Sequence, residues 1–302
     1  MRIIFAGTPD VGIPVADSIS SHLVGVLTRP DAEVGRGRDL RPSPVAQWAT
    51  ERSIDIFKAS KSNPELVEWL SAKQPDLGVV VAYGALLPVE LLSIPVHGWL
   101  NIHFSLLPHL RGAAPVQRAI LNGDDITGVS IFQLDEGMDT GPIYGTSTHE
   151  IGSKERSEEL LRALTLESIP LLRKVIDGIS EGTLRPVPQD EQGATYAPKI
   201  VKEEHLVRWD RPCHSIERQV RAFHPFSFTS FRGERIALLE VAESLEPVDL
   251  SVGELVVSSD KVFVGCAFGV LEISRLRPAG KKEMPAADWA RGARIIEGER
   301  FE

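Results

Sequence analysis

Residues 77–82, LGVVVA, form an unbroken apolar run rich in β-branched side chains. A strand that alternates apolar and polar residues leaves one face in water, whereas a strand with no polar face must be covered on both sides. The flanking chain supplies such cover in the right order. Short strands are expected at 3–6, 22–28 and, more weakly, 54–57. Helices are expected at 44–52, after a Ser-Pro start, and at 64–73, where Asn63 is placed to cap the first turn. Strand–helix alternation of this kind implies an α/β protein with a parallel, doubly wound sheet. Further strands read at 127–134 and 142–149. A long helix reads at 153–176, where Leu160, Leu161, Leu164, Ile169, Leu172 and Ile176 trace one stripe.

The texture changes after Gly182. Proline, glycine and glutamine accumulate, and 183–203 reads as a linker. Beyond it come a helix at 214–223 and short strands at 236–241, 254–258, 262–267 and 270–273, the spacing of a small β-barrel. The expected organisation is a domain over 1–182, the linker, and a second domain over 204–302. A net charge of −9 argues against coating nucleic acid by bulk attraction, but leaves room for a local basic patch. Two distant cysteines, Cys213 and Cys266, point away from a disulfide framework or a cysteine zinc site. The N-terminus enters a strand at once and no apolar run reaches membrane-spanning length, so the expectation is a cytoplasmic protein with no membrane partner.

Polar groups interrupt the apolar pattern at 98–117, GWLNIHFSLLPHLRGAAPVQ. Asn101 and His103, two residues apart at a strand end, leave the same face, while Ile102 and Phe104 take the other. Arg111-Gly112 is expected to open a helix. A strand end that delivers an amide and an imidazole into a loop is where open α/β sheets place their chemistry. Asn101 can donate to an oxygen gaining negative charge, and His103 can move protons near neutral pH. Asp139, in the loop after the 127–134 strand, can orient His103 if the two strands are neighbours. Asp135 is its rival. Arginines at 29, 36, 38 and 41, with Gly35 and Gly37 between them, suit a phosphate backbone, although the acids Asp31, Glu33 and Asp39 also make a solvated loop plausible.

Other chemistries fail on spacing. Gly7-Thr8-Pro9-Asp10 lacks the G-x-G-x-x-G fingerprint, and Pro9 removes an N–H that a pyrophosphate needs. One Asp-Thr-Gly triplet in an α/β region is not an aspartic-protease dyad. The histidines, of which His97, His103 and His109 are the nearest group, show no metal-ligand spacing, and Ser105 sits in no nucleophile elbow.

Several segments together resemble the methionyl-tRNA formyltransferase family over essentially the whole chain: FAGTPD at 5–10, GRGRDLRPSPV at 35–45, VVVAYGALLP at 79–88, NIHFSLLPHLRGAAPVQ at 101–117, LDEGMDTG at 134–141, RAFHPF at 221–226 and PAGKKEM at 278–284. The resemblance implies a Rossmann-type formyltransferase domain followed by a small OB-like barrel. It implies transfer of a formyl group from 10-formyltetrahydrofolate to the α-amine of methionyl initiator tRNA by a monomer, without a metal. Asn101, His103 and Asp139 match the catalytic set, with protonated His103 available to an oxyanion. Ser105, Leu106, Leu107 and Pro108 match the folate-lining segment, and Tyr83 and Gly84 add to it. The loop with Arg36, and with it Arg38 and Arg41, matches the one that enters the tRNA acceptor end. Lys281 and Lys282, with Arg218 and Arg221, are the expected barrel contacts to tRNA. Two positions depart from the family pattern: Phe226 stands where a tryptophan is frequent, and Phe104 where a smaller residue is usual.

Overall fold

A computed structural model describes residues 1–34, 38–246, 249–258 and 260–302. It divides into two compact units. The first holds Met1–Pro115, Ile126–Glu150 and Leu161–Ala197, and the second Val116–Asp125, Ile151–Leu160 and Pro198–Glu302.

Seven strands make the sheet of the first unit. Their order is Ile143–Glu150, Ile126–Gln133, Trp99–His103, Leu77–Val81, Ile3–Gly7, Leu23–Thr28 and Ile56–Lys58. The last five run parallel, as the strand–helix alternation requires, and the first two add antiparallel at one edge. Leu77–Val81 is buried throughout. Its glycine is explained by packing: a Cβ on Gly78 would lie 2.1 Å from the ring of Trp99, which is fully buried and donates from Nε1 to the Leu91 carbonyl at 2.9 Å. The expected cap is present, with Asn63 Oδ1 accepting from the Leu66 amide at 2.8 Å at the start of Pro64–Lys73.

Two local expectations change. Arg111–Gly112 opens no helix; it pairs as a short parallel strand with Tyr196–Ala197, and the helix starts at Pro115. The long helix is Ser157–Ser180, because the residues before it are occupied in turns: Glu155 Oε2 accepts from the Gly152 amide and Glu159 Oε2 from the Arg156 amide, both at 2.9 Å.

Strands Ile3–Gly7 and Leu77–Val81 are neighbours, yet the chain leaves them toward opposite sides, to Leu23–Thr28 and to Trp99–His103. Diverging connections open a crevice at the carboxyl ends of the strands. Thr8 and Tyr83, which follow these two strands, are tied by a 2.7 Å bond from Thr8 Oγ1 to the Tyr83 carbonyl.

The second unit is built on antiparallel strands in the order Phe228–Phe231, Glu234–Glu243, Val270–Pro278, Lys261–Gly265 and Leu255–Ser258, with Met284–Pro285 beside Val270–Pro278. The final residues join the two edges: Leu255 donates to the Glu299 carbonyl at 2.8 Å, and the Glu302 amide donates to Ser230 at 3.0 Å. Phe301 lies between Trp209 and Trp289, with ring centroids 5.4 and 5.8 Å away and planes within 12° and 17° of parallel. Truncating that ring removes a buried aromatic from the centre of this core, so Phe301→Ala is expected to cost about 3–5 kcal/mol in denaturant unfolding of this unit. A loss under about 1 kcal/mol would show that the ring is not the keystone of the core.

Candidate active site

Asn101 and His103 leave one face of the Trp99–His103 strand. The strand that pairs with it antiparallel sets Phe132 opposite Asn101 and Ser130 opposite His103, and the loop beyond it returns Asp139 to the same place. His103 Nδ1 lies 3.7 Å from Asp139 Oδ2, too far for a hydrogen bond and close enough for strong Coulombic coupling. The neighbouring strands required by the sequence reading are therefore present.

The other imidazole nitrogen decides the proton's position. His103 Nε2 is 2.9 Å from the Leu110 carbonyl oxygen, which can only accept, so Nε2 carries the hydrogen and Nδ1 of the neutral ring presents its lone pair toward Asp139. The ring is 5% exposed. Burial holds its pKa below the ordinary histidine value, opposed in part by the Asp139 charge and the Leu110 carbonyl. The resting imidazole is thus neutral, with Nδ1 vacant. In this resting state His103 is poorly placed to act as the protonated oxyanion donor considered above, since charge is disfavoured there and Nε2 is already engaged. Asn101 lines the cleft, and its side-chain amide bonds to no described residue.

Both partners are held by backbone that is costly to hold. Asp139 has φ 56° and Leu110 φ 60°, left-handed values that non-glycine residues seldom adopt. Asp139 Oδ2 accepts from the Gly112 amide at 2.7 Å, and the Asp139 and Gly141 carbonyls both accept from Gln189 Nε2, at 2.8 and 2.7 Å. Gln189 Oε1 in turn accepts from Arg111 Nε and Nη2, at 3.1 and 2.8 Å. Arg111 is 1% exposed and completes its hydrogen bonding on Glu191, at 3.0 and 2.9 Å. Thr195 Oγ1 accepts from the Leu110 amide at 2.8 Å.

Gln189, Glu191 and Thr195 all come from the stretch read as a linker. That stretch also bridges Val187 to Ile143 and, through Ala197, belongs to the first unit. Sequence reasoning missed these residues because a glutamine among prolines carries no periodic signal, and its role exists only once Arg111 is buried beside it.

The cleft measures about 1280 Å3 and holds Asn101, His103 and Asp139 on its wall. Leu86 and Met138 present exposed apolar side chains to it, and Arg29 and Lys61 line it with cationic ones. Tyr83 and Gly84 line it as expected. The Tyr83 hydroxyl donates to the Ala59 carbonyl at 2.7 Å, and burial pushes its pKa up to about 12. Arg29 is anchored to the Gly84 carbonyl.

Ser105, Leu106, Leu107 and Pro108 are not among the lining residues. Ser105 is fully buried, and the Ser130 hydroxyl donates to its carbonyl at 2.7 Å while accepting from the Leu107 amide at 3.0 Å. The polar atoms of Ser105–Leu107 thus brace the strand end. Phe104, in contrast, reaches the cleft.

Arg38 and Arg41 are exposed, Arg41 on the strand that pairs antiparallel with Ala32–Val34, and lie 3.7 Å from Glu33 and 3.9 Å from Asp39 respectively. Arg36 lies outside the described residues. In the second unit Lys281 and Lys282 are exposed, whereas Arg221 is tied to Glu217 at 2.6 Å and to the Glu155 carbonyl at 3.0 Å, and Arg218 to the Asn122 carbonyl at 3.4 Å. The last two arginines are structural ties. Among the described residues no group of three or more histidine, cysteine or acidic side chains is placed to hold a metal ion.

The formyl transferase family model matches residues 3–176, and the formyl transferase C-terminal domain model matches 199–294. The methionyl-tRNA formyltransferase of Salinispora arenicola (strain CNS-205) is 48% identical over 99% of this chain and 99% of its own. Among solved structures, the N-formyltransferase of Helicobacter canadensis, in complex with folinic acid and dTDP-3-aminofucose, superposes on 94% of this chain and 100% of its own, with TM-score 0.69 and 18% identity. HypX of Aquifex aeolicus, in complex with tetrahydrofolic acid, matches 96% of this chain with TM-score 0.62 and 20% identity, and this chain spans 47% of its length.

The vacancy at Nδ1 has a direct readout. By NMR of labelled imidazole, His103 is expected to titrate below 6.5 and, in Asp139→Asn, lower still, because the charge that opposes burial is gone. Gln189→Leu, which keeps bulk but loses the donors holding Asp139, should shift it in the same direction by less. A midpoint above 6.5, or an upward shift in Asp139→Asn, would remove the neutral-ring geometry.

Proposed function

The chain belongs to the methionyl-tRNA formyltransferase family, and from that premise we propose that Asn101, His103 and Asp139 carry its chemistry in the cleft just described. The reaction moves the formyl group of 10-formyltetrahydrofolate onto the α-amine of methionyl initiator tRNA. The observation that carries the assignment of residues is the vacant Nδ1 of a neutral, buried imidazole beside a carboxylate.

As the neutral amine attacks the formyl carbon, the carbonyl oxygen gains negative charge and the nitrogen gains positive charge. Asn101 donates its free amide to that oxygen, a contact that strengthens as charge develops. His103 accepts at Nδ1 the proton that the attacking nitrogen must lose. Asp139 then faces an imidazolium and stabilises it, which is why its distance and fixed orientation matter. The same proton is available to N10 of the folate as the C–N bond breaks, so the site returns to its resting state with no net change. Taking up the proton at Nδ1 also leaves the Nε2 bond to Leu110 intact.

The cleft chemistry suits both substrates. Leu86 and Met138 offer apolar surface for a pteridine or a methionine side chain, and Arg29 and Lys61 offer charge to a carboxylate or phosphate. Tyr83 and Gly84 serve the folate. The Ser105–Pro108 segment acts through its bracing of His103's strand. Arg36, with Arg38 and Arg41, meets the tRNA acceptor end, and Lys281 and Lys282 contact tRNA from the second unit; their support is the family resemblance. The protein acts as a monomer, a reading whose support is the family resemblance. Residence in the cytoplasm, off the membrane, follows from a substrate made for the ribosome.

Formylation of charged initiator tRNA is the deciding assay. Asp139→Asn should lower kcat by about 100-fold or more with KM values changed only a few-fold. Arg36→Ala should instead raise KM for methionyl-tRNA and spare that for the folate. Near-parental kcat in Asp139→Asn would take Asp139 out of the mechanism, and no product from the parent protein would end the reading.

A further inference from the structure

Cations in the second unit fall into two classes. Some are held by carboxylates: Arg208 by Asp210 at 3.0 Å, Arg232 by Glu299 at 2.6 Å, Arg275 by Glu283 at 2.5 Å and Arg156 by Glu240 at 2.8 Å. Arg235, Arg277 and Lys281 are exposed and have no carboxylate partner among the described residues. The contrast is sharpest on one strand, where Arg275 is paired and Arg277, two residues on, is not.

These three line one cavity of about 170 Å3, together with Pro225 and Phe226. Phe226 is 56% exposed. One side of its ring is backed by the imidazole of His205, at a centroid distance of 5.9 Å and 18° from parallel. Arg235 is itself steadied over the Phe228 ring, 3.7 Å from its centroid, and Arg277 Nη2 donates to the Pro225 carbonyl at 3.4 Å. A fixed, open aromatic face beside pre-positioned guanidiniums is a pairing that recognises a flat π-surface and a phosphodiester at once.

We propose that Phe226, Arg235, Arg277 and Lys281 form a nucleotide subsite, in which one base of the tRNA body stacks on Phe226 while its phosphates meet the three cations. The inference rests on the tRNA reading above. It adds Phe226, Arg235 and Arg277 to the contacts expected from the resemblance, and it leaves Arg218 and Arg221 out.

The test uses the full chain and labelled initiator tRNA, with affinity measured by anisotropy over a range of KCl concentrations and formylation kinetics run in parallel. Phe226→Ala should weaken binding about tenfold with little change in the salt slope, because stacking releases no counterions, and Phe226→Tyr should bind as the parent does. Arg277→Gln and Lys281→Gln should each weaken binding and reduce the slope of log affinity against log salt by about one. Arg208→Gln, which removes a paired cation elsewhere in the unit, should do neither.

Parental affinity in Phe226→Ala, or an effect of Arg208→Gln equal to that of Arg277→Gln, overturns the subsite. If the parent formylates methionyl-tRNA and Phe226→Ala binds normally, the subsite falls and the enzyme reading stands. If the parent forms no product yet the variants lose affinity as expected, the enzyme reading falls and the subsite stands.

Discussion

The hydrogen bond from His103 Nε2 to the Leu110 carbonyl is the constraint on which the site depends. A carbonyl cannot donate, so this one contact places the ring's proton on the side away from Asp139 and leaves a vacant base directed at a carboxylate. Without it, burial would still favour a neutral ring, but either nitrogen could carry the hydrogen. Leu110 is in a left-handed conformation and Asp139 is in another, so neither geometry is a backbone default. The chain holds both from outside the loops: Thr195 bonds Leu110, and Gln189 bonds the carbonyls on either side of Thr140.

That support rests on a second buried group. Gln189 offers both amide hydrogens to the Asp139 loop because its oxygen is engaged by Arg111, and Arg111 tolerates burial because Gln189 and Glu191 satisfy its donors. A buried guanidinium with a missing partner is strongly unfavourable, so the network is stable only when complete. The 187–197 stretch, the loop carrying Asp139 and the short Arg111–Gly112 pairing are thus joined in one hydrogen-bonded network. In the second unit Arg235 and Arg277, which have no carboxylate partner among the described residues, line one cavity with the exposed ring of Phe226.

Much of the scaffold was legible. The two-sided burial of LGVVVA, the alternation of strand and helix, and the cap at Asn63 are local properties, and each appears where local physics puts it. So does the shared face of Asn101 and His103, which follows from the two-residue period of a strand. Boundaries moved where side chains from distant segments intervened. Arg111–Gly112 became a strand because Tyr196–Ala197 pairs with it, and the long helix starts at Ser157 because Glu155 and Glu159 engage the turns before it. Ser105–Pro108 carries a motif that resemblance assigns to the folate, and its Ser105 carbonyl and Leu107 amide are both engaged by the Ser130 hydroxyl.

By itself the sequence determined the sheet, the two-part organisation, the family and the three side chains that can move a proton and steady an oxyanion. These follow from periodicity and residue type, which are written along the chain. Tertiary structure alone decided that Asp139 reaches His103, which imidazole nitrogen is vacant, and that a proline-rich stretch resembling a linker holds the site in place. Each of these depends on hydrogen bonds between residues far apart in sequence, such as Gln189 and Asp139, whose energy exists only after burial has removed water as the competing partner.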